Sequence, residues 1–288
     1  MRAQWSKRQR VMASVLIISS QVARGSVGAS AQRLVFERLG YQAWVLPTIV
    51  LSNHPGHAAF SSHVTPTDAL AAMVQTLDQN GWLGDVAAVL TGYMPSAEHA
   101  GVAAGAVKRV RDEVPWALHL CDPALGDAPS GLYIDEGAAQ GVRLDLIPLA
   151  DIATPNHFEL EWLTRQTVSD PAGCAALARE LGPARVLATS VPTGDPARIG
   201  NLLISGKESW WGTVGRRARA PHGTGDLIAA LYLAHLLGDD NARRALAMAC
   251  AGVEAALVAS GDEDELALVA SQEAWLKPEP WPLDAFDG

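Results

Sequence analysis

The tetrapeptide Gly223-Thr224-Gly225-Asp226 stands directly before the apolar run Leu227 to Leu233. Two glycines let a backbone come close to a ligand. A helix over the apolar run would point unpaired N–H groups at that ligand, and an acid sits at the helix mouth. The combination suits phosphoryl transfer. Amide donors of Gly223, Thr224 and Gly225 and the helix dipole meet developing phosphate charge, while Asp226 accepts the proton of an attacking hydroxyl. Taken by itself, the same tetrapeptide is equally a glycine-rich loop with Asp226 as a first-turn partner of the dipole.

Two further groups of side chains could serve such a reaction. Asp122 and Asp127 flank Pro123 and Gly126 after an apolar run, and carboxylates five apart in a turn suit magnesium, which takes one or two carboxylates and otherwise keeps water and phosphate oxygens. They could instead cap local N–H groups. Asn156 and Glu159 lie three apart after Pro155, so both can face one ligand from a helix start. They also fit a capping box, with Asn156 as N-cap and Glu159 as its reciprocal partner, and the two roles are compatible. His57, His63, His99, His119, His157, His222 and His235 show no ligand or triad spacing and receive no role. Cys121, Cys174 and Cys250 are far apart and odd in number, which implies neither a zinc site nor a disulfide framework and fits a reducing compartment.

The elements that must position these residues alternate along the chain. Apolar runs predict strands at about 14–19, 43–50, 86–91, 117–121, 185–190, 199–204 and 209–214. Helical patterns fall at about 28–39, 67–79, 97–112, 136–143, 157–165, 171–181, 224–237, 240–259 and 263–273. Asp170-Pro171 reads as an N-cap followed by proline in the first turn, Thr65 with Asp68 as a capping box, and Gly40 and Gly182 as left-handed helix ends. The alternation predicts an α/β fold, a mostly parallel sheet with helices on both faces. In such sheets ligands bind beyond the carboxyl ends of the strands, where Ser20, Gly92, Asp122 and Thr189 each follow an apolar run.

Composition narrows the function. The 288 residues suit one large domain, and the net charge of −9 argues against a nucleic-acid binder, which needs a basic face. Arg2, Lys7, Arg8 and Arg10 before Val11 to Ile18 imitate a signal peptide. Cleavage there would remove the first predicted strand, so residues 1–13 are expected to be a disordered extension of a domain spanning 14–288. No apolar run reaches the roughly 18 residues of a membrane span, and His235 interrupts the longest, Leu227 to Leu237, which reads as a buried helix.

Val15-Leu16-Ile17-Ile18-Ser19-Ser20, Gly25 to Ser30, Ser52-Asn53-His54, Thr91-Gly92-Tyr93, Cys121 to Asp127, Thr154 to Glu161 and Gly223 to Asp226 occur in the order and spacing of pyridoxal kinases. From about Ser14 to about Gln272 the chain resembles that branch of the ribokinase-like superfamily. The resemblance implies a single-domain ribokinase-like fold and ATP-dependent phosphorylation of the 5′-hydroxymethyl group of pyridoxal, with pyridoxine and pyridoxamine as related substrates. It implies that Ser20, His54 and Tyr93 line the pyridoxal pocket and that Asp122, Asn156, Thr189 and Thr224 border the nucleotide. It further implies that Asp122, Asp127 and Glu159 organise Mg2+, that a monovalent cation can assist, and that the protein is a cytoplasmic homodimer. The chain departs from the family at Gln21, Ala29 and the segment Pro55-Gly56-His57, where the family has His, Asn and a Thr-Gly-Tyr pattern. Those changes bear on substrate identity more than on reaction class. The alternatives are a kinase for another hydroxymethyl heterocycle, such as hydroxymethylpyrimidine, and a non-catalytic vitamin B6-binding relative, which would have no need of an intact Gly-Thr-Gly-Asp.

Overall fold

The computed structural model describes residues 13–217 and 219–287. The strands are β1 (Ser14–Val22), β2 (Gln42–Leu51), β3 (Ser62–Val64), β4 (Val86–Thr91), β5 (Leu118–Cys121), β6 (Gly126–Asp127), β7 (Gly131–Leu132), β8 (Ile152–Ala153), β9 (Arg185–Pro192), β10 (Arg198–Ser205), β11 (Glu208–Gly215) and β12 (Asp284–Ala285). The α-helices are α1 (Ala29–Arg38), α2 (Thr67–Gln79), α3 (Ala97–Glu113), α4 (Glu136–Gly141), α5 (His157–Thr164), α6 (Pro171–Glu180), α7 (Thr224–Asp239), α8 (Ala242–Ser260) and α9 (Gln272–Leu276).

One sheet runs β12-β11-β10-β9-β8-β5-β4-β1-β2-β3, and β6 pairs with β7 in a separate hairpin. Pairing is parallel from β2 through β1, β4, β5 and β8 to β9, and antiparallel at both edges. The centre is buried on both faces. Val15 and Ile17 of β1 pack with α1, α7 and α8, whereas Leu16 and Ile18 pack with α2 and α3. That is the period of two expected of a strand covered on both sides. The chain passes from β1 to β2 on one flank and returns to β4 on the other. Strand order therefore reverses beside β1, and a crevice at the carboxyl end of β1 is the position at which such sheets bind ligands.

Local chemistry explains the helix ends that the sequence marks. Asp170 caps α6 by accepting from Gly173 N–H, and Gly40 and Gly182 have φ of 90° and 111°. Two expectations change. Thr65 does not cap α2, because its Oγ1 donates to Pro47 O at 2.6 Å; the helix starts after Pro66, and Asp68 accepts from Ala69 N–H instead. The helix expected over 263–273 is confined to Gln272–Leu276. Residues 264–265 run alongside His222, whose N–H donates to Asp264 O at 3.0 Å, so tertiary pairing overrides local helical preference there. The extension expected over 1–13 lies outside the described residues except for Ala13, which is buried and accepts from Gln42 N–H.

Candidate active site

Gly223 ends the approach to α7 with φ of 90°, and a Cβ there would lie 2.0 Å from Ser26 O. Only glycine brings the turn this close. Thr224 Oγ1 donates to Pro221 O at 2.8 Å, Gly225 is exposed, and the first-turn amides have no partner within the helix. The Asp226 carboxylate, partly exposed, accepts from Gln32 Nε2 at 3.0 Å and from Gly28 N–H. Gly28 in turn packs on Ser20: a Cβ there would lie 2.4 Å from both Ser20 O and Oγ. The turn after β1 thus wraps the mouth of α7.

Facing that mouth is a second set of acids. Asp122 is buried at the end of β5 and accepts from Thr154 Oγ1 at 3.1 Å. The turn that follows holds Ala124 at φ of 49°, a strained geometry for a residue with a Cβ and of the sort that collects at ligand sites. Glu159 is buried, with Oε1 accepting from Leu125 N–H at 2.7 Å and Oε2 from Asn156 N–H at 2.9 Å. Asn156 Oδ1 accepts from Glu159 N–H at 2.9 Å, which completes the capping box, and Asn156 Nδ2 donates to Gly126 O at 2.8 Å. Asn156 and Glu159 therefore tie the Asp122–Asp127 turn to the start of α5. Thr189 sits beside them, its N–H donating to Pro155 O at 2.9 Å. Asp127 lies at the exposed edge, where it accepts from Ala128 N–H.

Burial foremost raises the proton affinity of these acids. Burial pushes Asp226 up to about 6 and Glu159 up to about 7. Burial, then the neighbouring Asp226 and Glu159, hold Asp122 well above the usual carboxylate range. The Tyr133 side chain is more than half exposed, yet its hydroxyl is kept protonated by local desolvation and by this group of carboxylates. Among the described residues no three His, Cys, Asp or Glu side chains are arranged to hold a metal unaided; a cation held by Asp122 and Glu159 would have to complete its shell with phosphate oxygens and water, as magnesium does.

The vitamin-side candidates gather at the same opening. Tyr93 N–H donates to Ser19 Oγ at 3.3 Å and its carbonyl accepts from Thr48 Oγ1 at 2.8 Å, while its ring packs with Val22, Val27, Ile49 and Leu51. A Cβ at Gly92 would lie 2.3 Å from Ser19 Oγ, so glycine is required there. His54 stacks on His222, the residue before Gly223. Four residues at or beside the opening had received no role: Gln32, Tyr133, His222 and Glu265. Gln32 alone carried a signal, a polar side chain in the apolar stripe of Ala29, Ala31, Val35 and Phe36. The three cysteines are free and buried, and burial keeps their thiols protonated.

Known proteins resemble this chain in sequence and in fold. The phosphomethylpyrimidine kinase family profile matches residues 24–266. The pyridoxal kinase PdxY of Rubrobacter xylanophilus is 35% identical over 273 residues, spanning 92% of this chain and 94% of that protein. The corresponding protein of Deinococcus radiodurans is 35% identical over 278 residues, 92% and 93% of the two chains. The structure of Leishmania donovani pyridoxal kinase in complex with ADP and pyridoxine superposes with a TM-score of 0.89 at 26% identity, covering 96% of this chain and 99% of that one. With the ribokinase-like sheet, the glycine-bounded helix mouth and these relatives in agreement, the chain belongs to the pyridoxal kinase family.

Proposed function

We propose that the protein transfers the γ-phosphoryl group of ATP to the 5′-hydroxymethyl oxygen of pyridoxal, and of pyridoxine and pyridoxamine as related substrates. The observation that carries this reading is the Asp226 carboxylate at the mouth of α7, oriented by Gln32 Nε2 and Gly28 N–H beside the left-handed Gly223. As the hydroxyl oxygen forms its bond to the γ-phosphorus and the bond to the β-phosphate oxygen breaks, Asp226 takes the hydroxyl proton. An acid raised to about 6 is ionised at neutral pH and still basic enough for that task. The amides of Gly223, Thr224 and Gly225 meet the charge that grows on the transferring group. Ser20, His54 and Tyr93 orient the vitamin ring, and Thr189 borders the nucleotide phosphates. Asp122, Asn156 and Glu159, with Asp127 at the rim, would hold magnesium through its inner ligands and waters. Magnesium, when bound, offsets phosphate charge.

The phosphomethylpyrimidine kinase profile supports a second reading, phosphorylation of a hydroxymethylpyrimidine. ADP release measured with pyridoxal, pyridoxine, pyridoxamine and hydroxymethylpyrimidine, with and without MgCl2, separates the two. Pyridoxal is expected to give the highest kcat/KM and to require magnesium, whereas preference for the pyrimidine or release independent of any heterocycle overturns the assignment. Substituting Na+ for K+ in that assay tests a monovalent activator. A homodimer and a cytoplasmic location complete the proposal. Sedimentation at about twice the 30.4 kDa chain mass is the expected result for the dimer.

A further inference from the structure

Loop 52–61 leaves β2 over the same opening and is fastened by contacts that the reaction itself does not use. His54 lies face to face with His222, ring centroids 3.6 Å apart and planes 21° from parallel. Gly56 N–H donates to His54 Nδ1 at 3.0 Å, fixing that ring. A Cβ on Gly56 would lie 3.0 Å from both His54 Nδ1 and His222 Nε2, so a larger residue would have to push the two rings aside. One turn further, His57 Nε2 lies 3.2 Å from Glu265 Oε1, and Arg24 Nη1 reaches the same oxygen at 2.6 Å. The segment carrying Glu265 is itself bound to His222 through the Asp264 carbonyl. Three stretches distant in sequence, the β2–β3 loop, the turn after β1 and the approach to α7, are therefore fastened at one point.

The stack is one of neutral rings. Burial foremost pushes His54 down to about 4, with His222 and His57 adding to the effect and Glu265 opposing it. Burial also lowers His222; His57 and Arg219 add to this, while Asp264 and Glu265 oppose it. Two uncharged imidazoles can lie face to face without repulsion.

We propose that His222 and Glu265 are positioning residues that hold loop 52–61 closed against the vitamin end of the site before substrate arrives. The inference rests on the kinase reading, because it assigns the loop to the pocket that holds the vitamin. A loop that is closed only part of the time weakens apparent affinity in proportion to the closed fraction. At saturation the substrate itself closes the loop. Loss of the stack therefore raises KM for pyridoxal while leaving kcat and KM for ATP nearly unchanged. An aromatic pair of this kind is worth roughly 2- to 10-fold in the closed-to-open ratio, which sets an upper bound on the rise in KM. His57 in this chain is an anchor to Glu265.

The test compares wild type with His222→Ala, His222→Phe and Glu265→Gln, using steady-state kinetics, melting temperature and amide hydrogen exchange of residues 52–61 in the ligand-free protein. His222→Ala and Glu265→Gln are expected to raise KM for pyridoxal by up to about 10-fold with kcat within about twofold, and to speed exchange in the loop. His222→Phe restores the stack, the KM and the protection. A folded His222→Ala protein with unchanged loop exchange or unchanged pyridoxal KM overturns the proposal, as does a His222→Phe variant that behaves like His222→Ala. Exchange needs no turnover, so it distinguishes a clasp that is absent from a substrate that has been misassigned. Should His222→Ala fail to fold, Glu265→Gln carries the same expectations from the other anchor.

Discussion

Asp122, Glu159 and Asp226 converge on one small space and are each driven toward protonation by burial. For Asp226 the sign is definite. Its folded value of about 6 lies above the ordinary aspartate value of 3.8, so the favourable protonated state is complete below the unfolded value and is lost as pH rises through the folded one. At neutral pH the ionised base is a cost to stability. Asp226→Asn keeps an oxygen for Gln32 and Gly28 but removes the charge, so turnover is expected to fall by about 10²–10⁴-fold while the melting temperature holds or rises. In the wild type, kcat/KM is expected to decline as pH falls through about 6. A folded Asp226→Asn protein with near-normal turnover would remove the residue from the reaction. Glu159 behaves differently because both oxygens already serve backbone amides of Leu125 and Asn156. Glu159→Gln turns one acceptor into a donor facing an N–H. It should cost about 1–3 kcal/mol and also raise the magnesium concentration needed for half-maximal rate. Melting curves with a magnesium titration check both; a loss of stability alone leaves Glu159 as a cap and nothing more.

The elements show why part of the site could be read from sequence and part could not. Gly223 to Asp226, Asp122 to Asp127 and Asn156 to Glu159 are contiguous stretches whose local geometry follows from residue type, so their backbone roles were legible. Gln32 meets Asp226 across 194 positions, and His54 meets His222 across two loops; nothing local encodes such pairings. The same limit explains the shortened helix α9, since a helical pattern cannot reveal that residues 264–265 will pair with His222. The helix mouth also separates scaffold from chemistry. Gly223→Ala places a methyl where Ser26 O lies and a side chain at positive φ, a strain on the order of 1–3 kcal/mol, so a lower melting temperature and a misplaced helix start are expected. Gly225→Ala meets nothing within 4 Å. It should stabilise α7 by up to about 1 kcal/mol through helix propensity, yet slow turnover, because its methyl stands at the exposed amides assigned to the phosphate. Faster melting alone for Gly223→Ala, with full activity in Gly225→Ala, would move the anion hole elsewhere.

Across the whole molecule, position in the sheet decides which ends of the chain the fold needs. Strand β1 is bracketed by β2 and β4, its residues Val15 to Ile18 are fully buried between the two helical layers, and the proposed site lies at its carboxyl end. Strand β12 lies at the opposite extreme. It pairs only through Ala285 with Trp210 and Asp284 with Trp211, while Trp281 Nε1 donates to Thr213 O at 3.1 Å and Phe286 packs on Trp211. Removing residues 1–22 deletes a central strand with two parallel partners and should give no folded protein. Removing residues 280–288 instead uncovers the β11 edge and the apolar surface under Trp281 and Leu283. Burying a large apolar side chain is worth about 1.5–3 kcal/mol. The shortened protein should therefore fold, melt several degrees lower and associate through the bared edge strand, yet keep its kcat for pyridoxal at temperatures well below melting, since neither α7 nor the Asp122 turn loses a partner. Circular dichroism melting, sedimentation and ADP release on the two deletions make the comparison. A folded and active protein lacking residues 1–22 would mean that another segment can replace β1 between β2 and β4, and the crevice at its end could not then be where the vitamin binds.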